Sequence, residues 1–241
     1  WRVDKAAKML RNTLAWRKRA RPDRLTWDQV KEEAVTGKMY RVLGLDRQGR
    51  PVLLLRPGRE NTKSHEGQIN HLIYTLESAL RVMKDSETVA RGSEACLDAE
   101  QLVIIIDFTG WSLSVAPPMK TTRETLTILQ DHYPERLAFA LLPNTPRLFE
   151  LTWKAVSAFI DPKTHKKVRF ARTAKESGQA KMREYFHMDR LEASLSLGGT
   201  CAESFNVETH GALMLKEESE LAAKRGVASL SPCNLEWEEK K

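Results

Sequence analysis

The 241-residue chain is long enough to bury a sizeable core and fits one large domain, alone or with appendages. Apolar residues at 41% and charged residues at 29% exclude a disordered chain, and no run approaches the ~18 consecutive apolar residues of a bilayer span. The formal net charge of +7 favours anionic partners such as a membrane leaflet, but no zinc-finger spacing, aromatic RNA-binding signature or long basic block points to nucleic acid.

Cys96, Cys201 and Cys233 are odd in number, widely spaced and free of any C-x-x-C pair, so reduced thiols in a cytoplasmic protein are expected, with no metal site. The chain opens on Trp1 without a basic-then-apolar leader, and inside a helical pattern, so it reads as a fragment. Val3, Ala6, Ala7, Leu10, Leu14 and Trp16 predict an amphipathic helix to Arg19, stopped by Pro22. Thr-Trp-Asp-Gln from Thr26 is a loose capping box and predicts a second helix ending at Gly37. Met39 to Leu45 and Val52 to Leu55 flank the turn cluster Asp46-Arg-Gln-Gly-Arg-Pro51, which predicts a β-hairpin.

A helix with Ile69, Leu72, Ile73, Leu76, Leu80 and Met83 on one side is predicted from Ser64 to Lys84, and a polar loop over Val89 to Glu100. Leu102 to Phe108 reads as a strand buried on both faces, as in a parallel sheet. Pro117-Pro118 opens a helix through Asp131, Leu137 to Leu142 is strand-like, and a helix follows from Pro146 to Phe159. A strand over Lys167 to Phe170 and a helix over Ala174 to Met188 continue the alternation, which implies an α/β sheet built from crossovers. After Gly198-Gly199 the chain becomes mixed and polar, and residues 201–241 are expected to be an extension with a polar tail.

Three segments carry candidate chemistry. Asp107, Ser112 and Ser114 follow the carboxyl end of the buried strand, where α/β sheets tend to hold ligands, although such an Asp also caps a turn. His132-Tyr-Pro-Glu-Arg136 places an acid–base pair between helix and strand, which a surface ion pair would equally explain. Phe159-Ile-Asp-Pro-Lys-Thr-His-Lys-Lys167 mixes a hydroxyl with cations, a combination that holds anions, and it also fits a solvent-facing Asp-Pro turn. Neither G-x-S-x-G nor G-x-x-x-x-G-K-[ST] occurs, and His65 and His71 are six apart on one helix, so catalysis is not expected.

Asp-Arg-Gln-Gly-Arg-Pro-Val (46–52), Ile-Asp-Phe-Thr-Gly (106–110), Tyr-Pro-Glu-Arg (133–136), Phe-Ile-Asp-Pro-Lys-Thr (159–164) and Leu-Gly-Gly-Thr (197–200) occur in the order and spacing of the CRAL-TRIO domain family, which residues 1–200 resemble. The resemblance implies an α/β fold in which a mixed sheet floors an apolar cavity closed by a gate helix. Residues 1–37 would be the end of an N-terminal helical region, 38–200 the lipid-binding domain and 201–241 the extension. The gate would span about Pro146 to Ile160, with Leu148, Phe149, Leu151, Trp153, Val156 and Phe159 as its large apolar groups.

The chain looks most like the branch of the yeast secretory phosphatidylinositol/phosphatidylcholine transfer protein. By that resemblance Glu135, Thr164 and Lys167 contact a phosphoinositol headgroup, and Ser112 and Ser114 a second lipid's phosphate. A further headgroup arginine of the branch lies upstream of residue 1. The tyrosines that cage choline are replaced by Val42 and Leu53, which supply no cation–π surface. The implied protein is a cytoplasmic, monomeric, peripherally membrane-associated phosphatidylinositol carrier that needs no cofactor and exchanges its lipid or presents it, for example to a lipid kinase. A carrier of a sterol, tocopherol or squalene, or a lipid-regulated adaptor, is the alternative.

Overall fold

A computed structural model describes residues 2–84, 100–143, 145–173, 175–193, 195 and 197–230, with the side chains of 43, 84, 147, 148 and 150–152 outside the description. The expected polar loop at Val89 to Glu100 lies, but for Glu100, outside the described residues, as do Cys96, Cys233 and the terminal 231–241.

The hairpin forms where the turn residues predicted it. Strands β1 (Met39–Leu45) and β2 (Pro51–Leu55) pair antiparallel, with Met39 opposite Leu55 and Leu45 opposite Pro51. The Asp46 carboxylate closes the turn by accepting the N–H groups of Gln48 at 2.9 Å and Arg50 at 2.8 Å, and Gly49 takes the left-handed φ of 74° that the turn demands. From β2 the sheet grows by parallel pairing through β3 (Leu102–Ile106), β4 (Leu137–Pro143) and β5 (Val168–Ala171), in the order β1-β2-β3-β4-β5.

The aliphatic character of β3 follows from burial on both faces. Val103 and Ile105 join Tyr40, Val42, Leu54, Phe139 and Leu141 in one core layer, whereas Leu102 and Ile104 join the other. Helix α3 (His65–Lys84) covers that second face with Ile69, Leu72, Ile73 and Leu76, a stripe at helical spacing.

Helix α1 (Val3–Ala20) ends where Arg21 adopts φ 45° before Pro22. It docks through Trp16, which stacks on His132 with ring centroids 4.3 Å apart, and through Thr13, whose hydroxyl donates to the Asp131 carbonyl at 2.8 Å. Helix α2 (Trp27–Ala34) carries the expected capping box, Gln29 accepting the Thr26 N–H at 3.0 Å. Helix α4 (Met119–Thr127) continues into a π-helical turn over Ile128–His132. Helices α5 (Arg147–Ser157), α6 (Pro162–Lys166) and α7 (Glu176–Tyr185) complete the described part of the first 190 residues, with 3₁₀ turns at Pro22–Arg24, Pro57–Arg59 and Met188–Arg190. Helix α6 replaces the start of the expected Asp-Pro turn, capped by Asp161, whose carboxylate accepts the N–H groups of Lys163 and Thr164.

The mixed, polar segment after Gly199 contains a helix that the sequence reading did not assign. Residues Val207–Lys224 form helix α8, capped by Asn206, whose side chain accepts two N–H groups at 2.9 Å. Its buried stripe is Gly211, Met214, Glu218 and Ala222. Only one of these is a large apolar residue, so a hydropathy pattern misses the helix. Gly211 is required because a Cβ there would lie 2.9 Å from the Trp27 ring nitrogen. Glu218 then accepts the Trp27 N–H at 2.6 Å and the Tyr74 hydroxyl at 2.7 Å, joining α8 to α2 and α3, and Glu217 pairs with the buried Arg41 on β1.

Candidate functional site

Between the sheet and helices α3, α4 and α5 lies a cavity of about 1360 Å³. It is larger than the ~300–1,000 Å³ typical of sites for drug-sized molecules. Its floor is the alternating set Leu102, Ile104 and Ile106 of β3 with Ala140 and Leu142 of β4, and α3 adds Leu72 and Leu76. The wall opposite comes from α4 and α5. Such a surface offers its occupant dispersion and water exclusion and few hydrogen bonds.

The expected gate segment forms part of that wall. Phe149, Trp153, Val156 and Phe159 all line the cavity, while the Leu148 and Leu151 side chains lie outside the described residues. Aromatic contacts hold it: Phe149 packs on Phe108 at 4.2 Å between centroids, and Trp153 meets Phe170 edge-on at 5.7 Å. Its carboxyl end is fixed by Gln130, whose amide donates to the Phe159 carbonyl at 3.0 Å and accepts the Asp161 N–H at 2.7 Å. Arg123 lies 4.6 Å over the Phe159 ring.

Glu135, Thr164 and Lys167 are brought together at one rim of the cavity. Lys167 precedes β5 and Glu135 precedes β4, so both sit at the amino ends of parallel strands. The Lys167 ammonium donates to the Leu137 carbonyl at 2.8 Å and lies 3.4 Å from the Glu135 carboxylate, which is 76% exposed. Glu135 holds a left-handed φ of 58°, rare for a residue with a side chain. Thr164, on α6, is half-buried. A cation and an open carboxylate thus meet at the mouth of an apolar chamber, which Thr164 also lines.

The carboxyl ends of the strands hold a different arrangement. Asp107 is buried and closes its own turn, accepting the N–H and hydroxyl of Thr109 at 3.0 and 2.7 Å, with Arg56 at 3.8 Å. These are the bonds of the turn cap that the sequence also allowed. The hydroxyls of Ser112 and Ser114 bond to each other at 2.7 Å and are not among the cavity-lining groups, so the structure does not join them to Glu135, Thr164 and Lys167. Val42 points into the layer on the far face of the sheet, and Leu53 belongs to the cavity-side core without lining the cavity.

Other polar groups of the lining carried no sequence signal. Lys38, Glu60, Gln68 and His71 lie near the opposite end, each isolated in sequence from any motif. His71 is 2% exposed, and burial, reinforced by the charges of Lys38 and His210, pushes its imidazole down to about 3. Among the described residues no group of three or more His, Cys, Asp or Glu side chains could hold a metal, and no helix is long and apolar enough to cross a membrane.

A mixed-sheet α/β domain built around a large apolar cavity, with ionic groups at one rim and an aromatic helix across it, is thus the class of the molecule. Residues 35–199 match the model of the CRAL/TRIO domain, and the chain belongs to that family. A CRAL-TRIO domain-containing protein of Schizosaccharomyces pombe is 38% identical over 170 residues, covering 70% of this chain and 16% of that protein. The phosphatidylinositol transfer protein PDR17 of Saccharomyces cerevisiae is 33% identical over 182 residues, covering 70% of this chain and 48% of that protein. In both relatives the aligned region is less than half of the full length. The crystal structure of Sfh5 shares the fold, with a TM-score of 0.62 at 15% identity over 90% of this chain and 78% of that one.

Proposed function

We propose that this chain binds a phospholipid, phosphatidylinositol, with its acyl chains in the cavity and its headgroup at the rim, and that it exchanges or presents the lipid at membranes without catalysing a reaction. The observation that carries the reading is the convergence of Glu135, Thr164 and Lys167 at the mouth of the apolar chamber. A phosphodiester suits the Lys167 ammonium and Thr164 hydroxyl, and the Glu135 carboxylate is an acceptor for inositol hydroxyls. The sequence likeness to a yeast phosphatidylinositol transfer protein supports the same cargo.

The formal net charge of +7 favours approach to an anionic, cytoplasmic membrane surface. There the α5 segment swings aside and the lipid moves between two apolar solvents. Each methylene contributes about 0.8 kcal/mol on leaving water, so exchange requires a continuous apolar path. A lipid kinase is a fitting recipient of a presented headgroup. Transfer between donor and acceptor vesicles tests the assignment. Lys167→Ala is expected to slow phosphatidylinositol transfer about tenfold or more, the worth of one charge-assisted bond of roughly 1.5–3 kcal/mol, while sparing other cargo. Equal loss for every cargo would contradict the headgroup role.

A further inference from the structure

We propose that Gln130 is the pivot of the gate: a positioning residue whose side-chain amide pins the joint between α5 and α6, so that α5 swings while α6 keeps the headgroup residues in place. The joint is residues 158–161. On one side of it α5 carries Phe149, Trp153 and Val156 of the cavity wall; on the other α6 leads through Thr164 to Lys167 at the rim. The Gln130 amide grips the backbone on both sides of Ile160. It donates to the Phe159 carbonyl at 3.0 Å and accepts the Asp161 N–H at 2.7 Å. A side chain thus makes the reciprocal pair of bonds by which neighbouring antiparallel strands hold each other.

The second bond settles what is pinned. In a capping box, the N–H of the N-cap residue is taken by a side chain of its own helix, at N3. The N-cap of α6 is Asp161, and its N–H is taken by Gln130, from outside the helix. The Asp161 carboxylate in turn accepts the N–H groups of Lys163 at 2.9 Å and Thr164 at 3.0 Å, with Pro162 pre-set for the first turn. The placement of α6, and of Thr164 on it, therefore depends on Gln130.

The platform that holds the clamp is itself braced. Gln130 lies in the π-helical turn Ile128–His132, a departure from α-helical register of the kind that gathers at functional sites. Helix α1 secures that turn, with Thr13 on the Asp131 carbonyl and Trp16 on the His132 ring. Arg123, two turns before Gln130 on α4, lies over the Phe159 ring. Phe149 and Trp153, by contrast, hold α5 through ring contacts, whose dispersion an acyl chain can replace. A helix with replaceable contacts along its length and directional bonds at one end turns about that end.

This inference rests on reading α5 as a gate and Thr164 and Lys167 as headgroup contacts, and the experiment separates the two. Amide hydrogen exchange of the full chain is followed beside its binding of a fluorescent phosphatidylinositol. In the unaltered chain the amides of Asp161, Lys163 and Thr164 are expected to exchange more slowly than those of residues 153–156. Gln130→Leu removes both bonds and is expected to speed the α6 amides by about fivefold or more. It should also weaken phosphatidylinositol binding about fivefold, the worth of one neutral hydrogen bond. In a Lys167→Ala background the same substitution should cost less than about twofold, because its effect runs through the headgroup contacts. Gln130→Glu keeps the acceptor for the Asp161 N–H, so the α6 amides should stay protected.

Unchanged binding in Gln130→Leu overturns the pivot, and so does an equal loss in both backgrounds, the mark of a side chain that serves only the fold. Amides of Asp161, Lys163 and Thr164 that exchange as fast as those of residues 153–156 overturn it without any variant, which decides the matter if a variant fails to fold. An unaltered chain that binds no phosphatidylinositol would remove the headgroup reading, and the exchange rates would still decide whether Gln130 pins α6.

Discussion

Glu135 combines an open carboxylate with a backbone conformation suited to glycine, at φ 58°. A left-handed residue with a Cβ costs roughly 1–2 kcal/mol, and such strain concentrates at functional positions. Glu135→Gly should therefore leave stability unchanged or raise it by about 1 kcal/mol while weakening phosphatidylinositol binding, as read by denaturant melts beside a transfer assay. A loss of stability would show that the carboxylate serves the fold. His71 and His210 make a second case, with imidazoles held down to about 3 and about 4, chiefly by burial. Unfolded histidines protonate near pH 6.5, so below that pH the unfolded chain binds protons that the folded chain does not. Stability is then fully present above about pH 6.5 and falls by up to ~1.4 kcal/mol per pH unit for each histidine towards the folded values. Urea midpoints at pH 7.5 and 5.0 should differ accordingly, and by less in His71→Phe. The sequence marked Glu135, Thr164 and Lys167 because they lie in motifs. It could not mark His71, whose titration is set by burial, a property no spacing records.

At the scale of elements, the hairpin, β3, α3 and the gate segment were legible, since each rests on a local pattern: turn chemistry at Asp46 and Gly49, unbroken aliphatic residues, or apolar residues at helical spacing. Helix α8 was not, because it buries a glycine and a glutamate where an amphipathic helix presents aliphatic groups, and what makes those residues fit, Trp27 and Tyr74, lies well over 100 positions away. Glu218→Ala would leave the Trp27 N–H and Tyr74 hydroxyl without an acceptor in a buried site. A loss of about 2–4 kcal/mol in chemical denaturation is expected; a change below 1 kcal/mol would show that α8 is held otherwise. Helix α5 makes the opposite case: its inner side faces cavity, and it is fastened by Phe108, Phe170 and the Gln130 clamp. Its backbone amides should exchange with solvent at least tenfold faster than those of α3, whose Ile69, Ile73 and Leu76 are buried in the core. Equal protection of the two helices would contradict a gate.

For the whole molecule, the proposed exchange cycle calls for a net positive charge, an aromatic wall and an apolar chamber, and the chain has each of them. In that cycle the anionic headgroup is proposed to sit at the amino edge of the sheet, by Lys167 and Thr164; Asp107 caps its own loop, and the hydroxyls of Ser112 and Ser114 bond to each other. The sequence offered candidates at both edges, and the Lys167–Glu135 pair at the cavity rim comes from the amino edge, from the turn before β4 and the residue before β5. That the chamber carries phosphatidylinositol is checked by mass spectrometry of the lipids that copurify with the chain. Phosphatidylinositol enriched over its share of the host membrane is the expected result, with the enrichment lost in Lys167→Ala. A chain that copurifies with lipids in their membrane proportions, or with none, would contradict it.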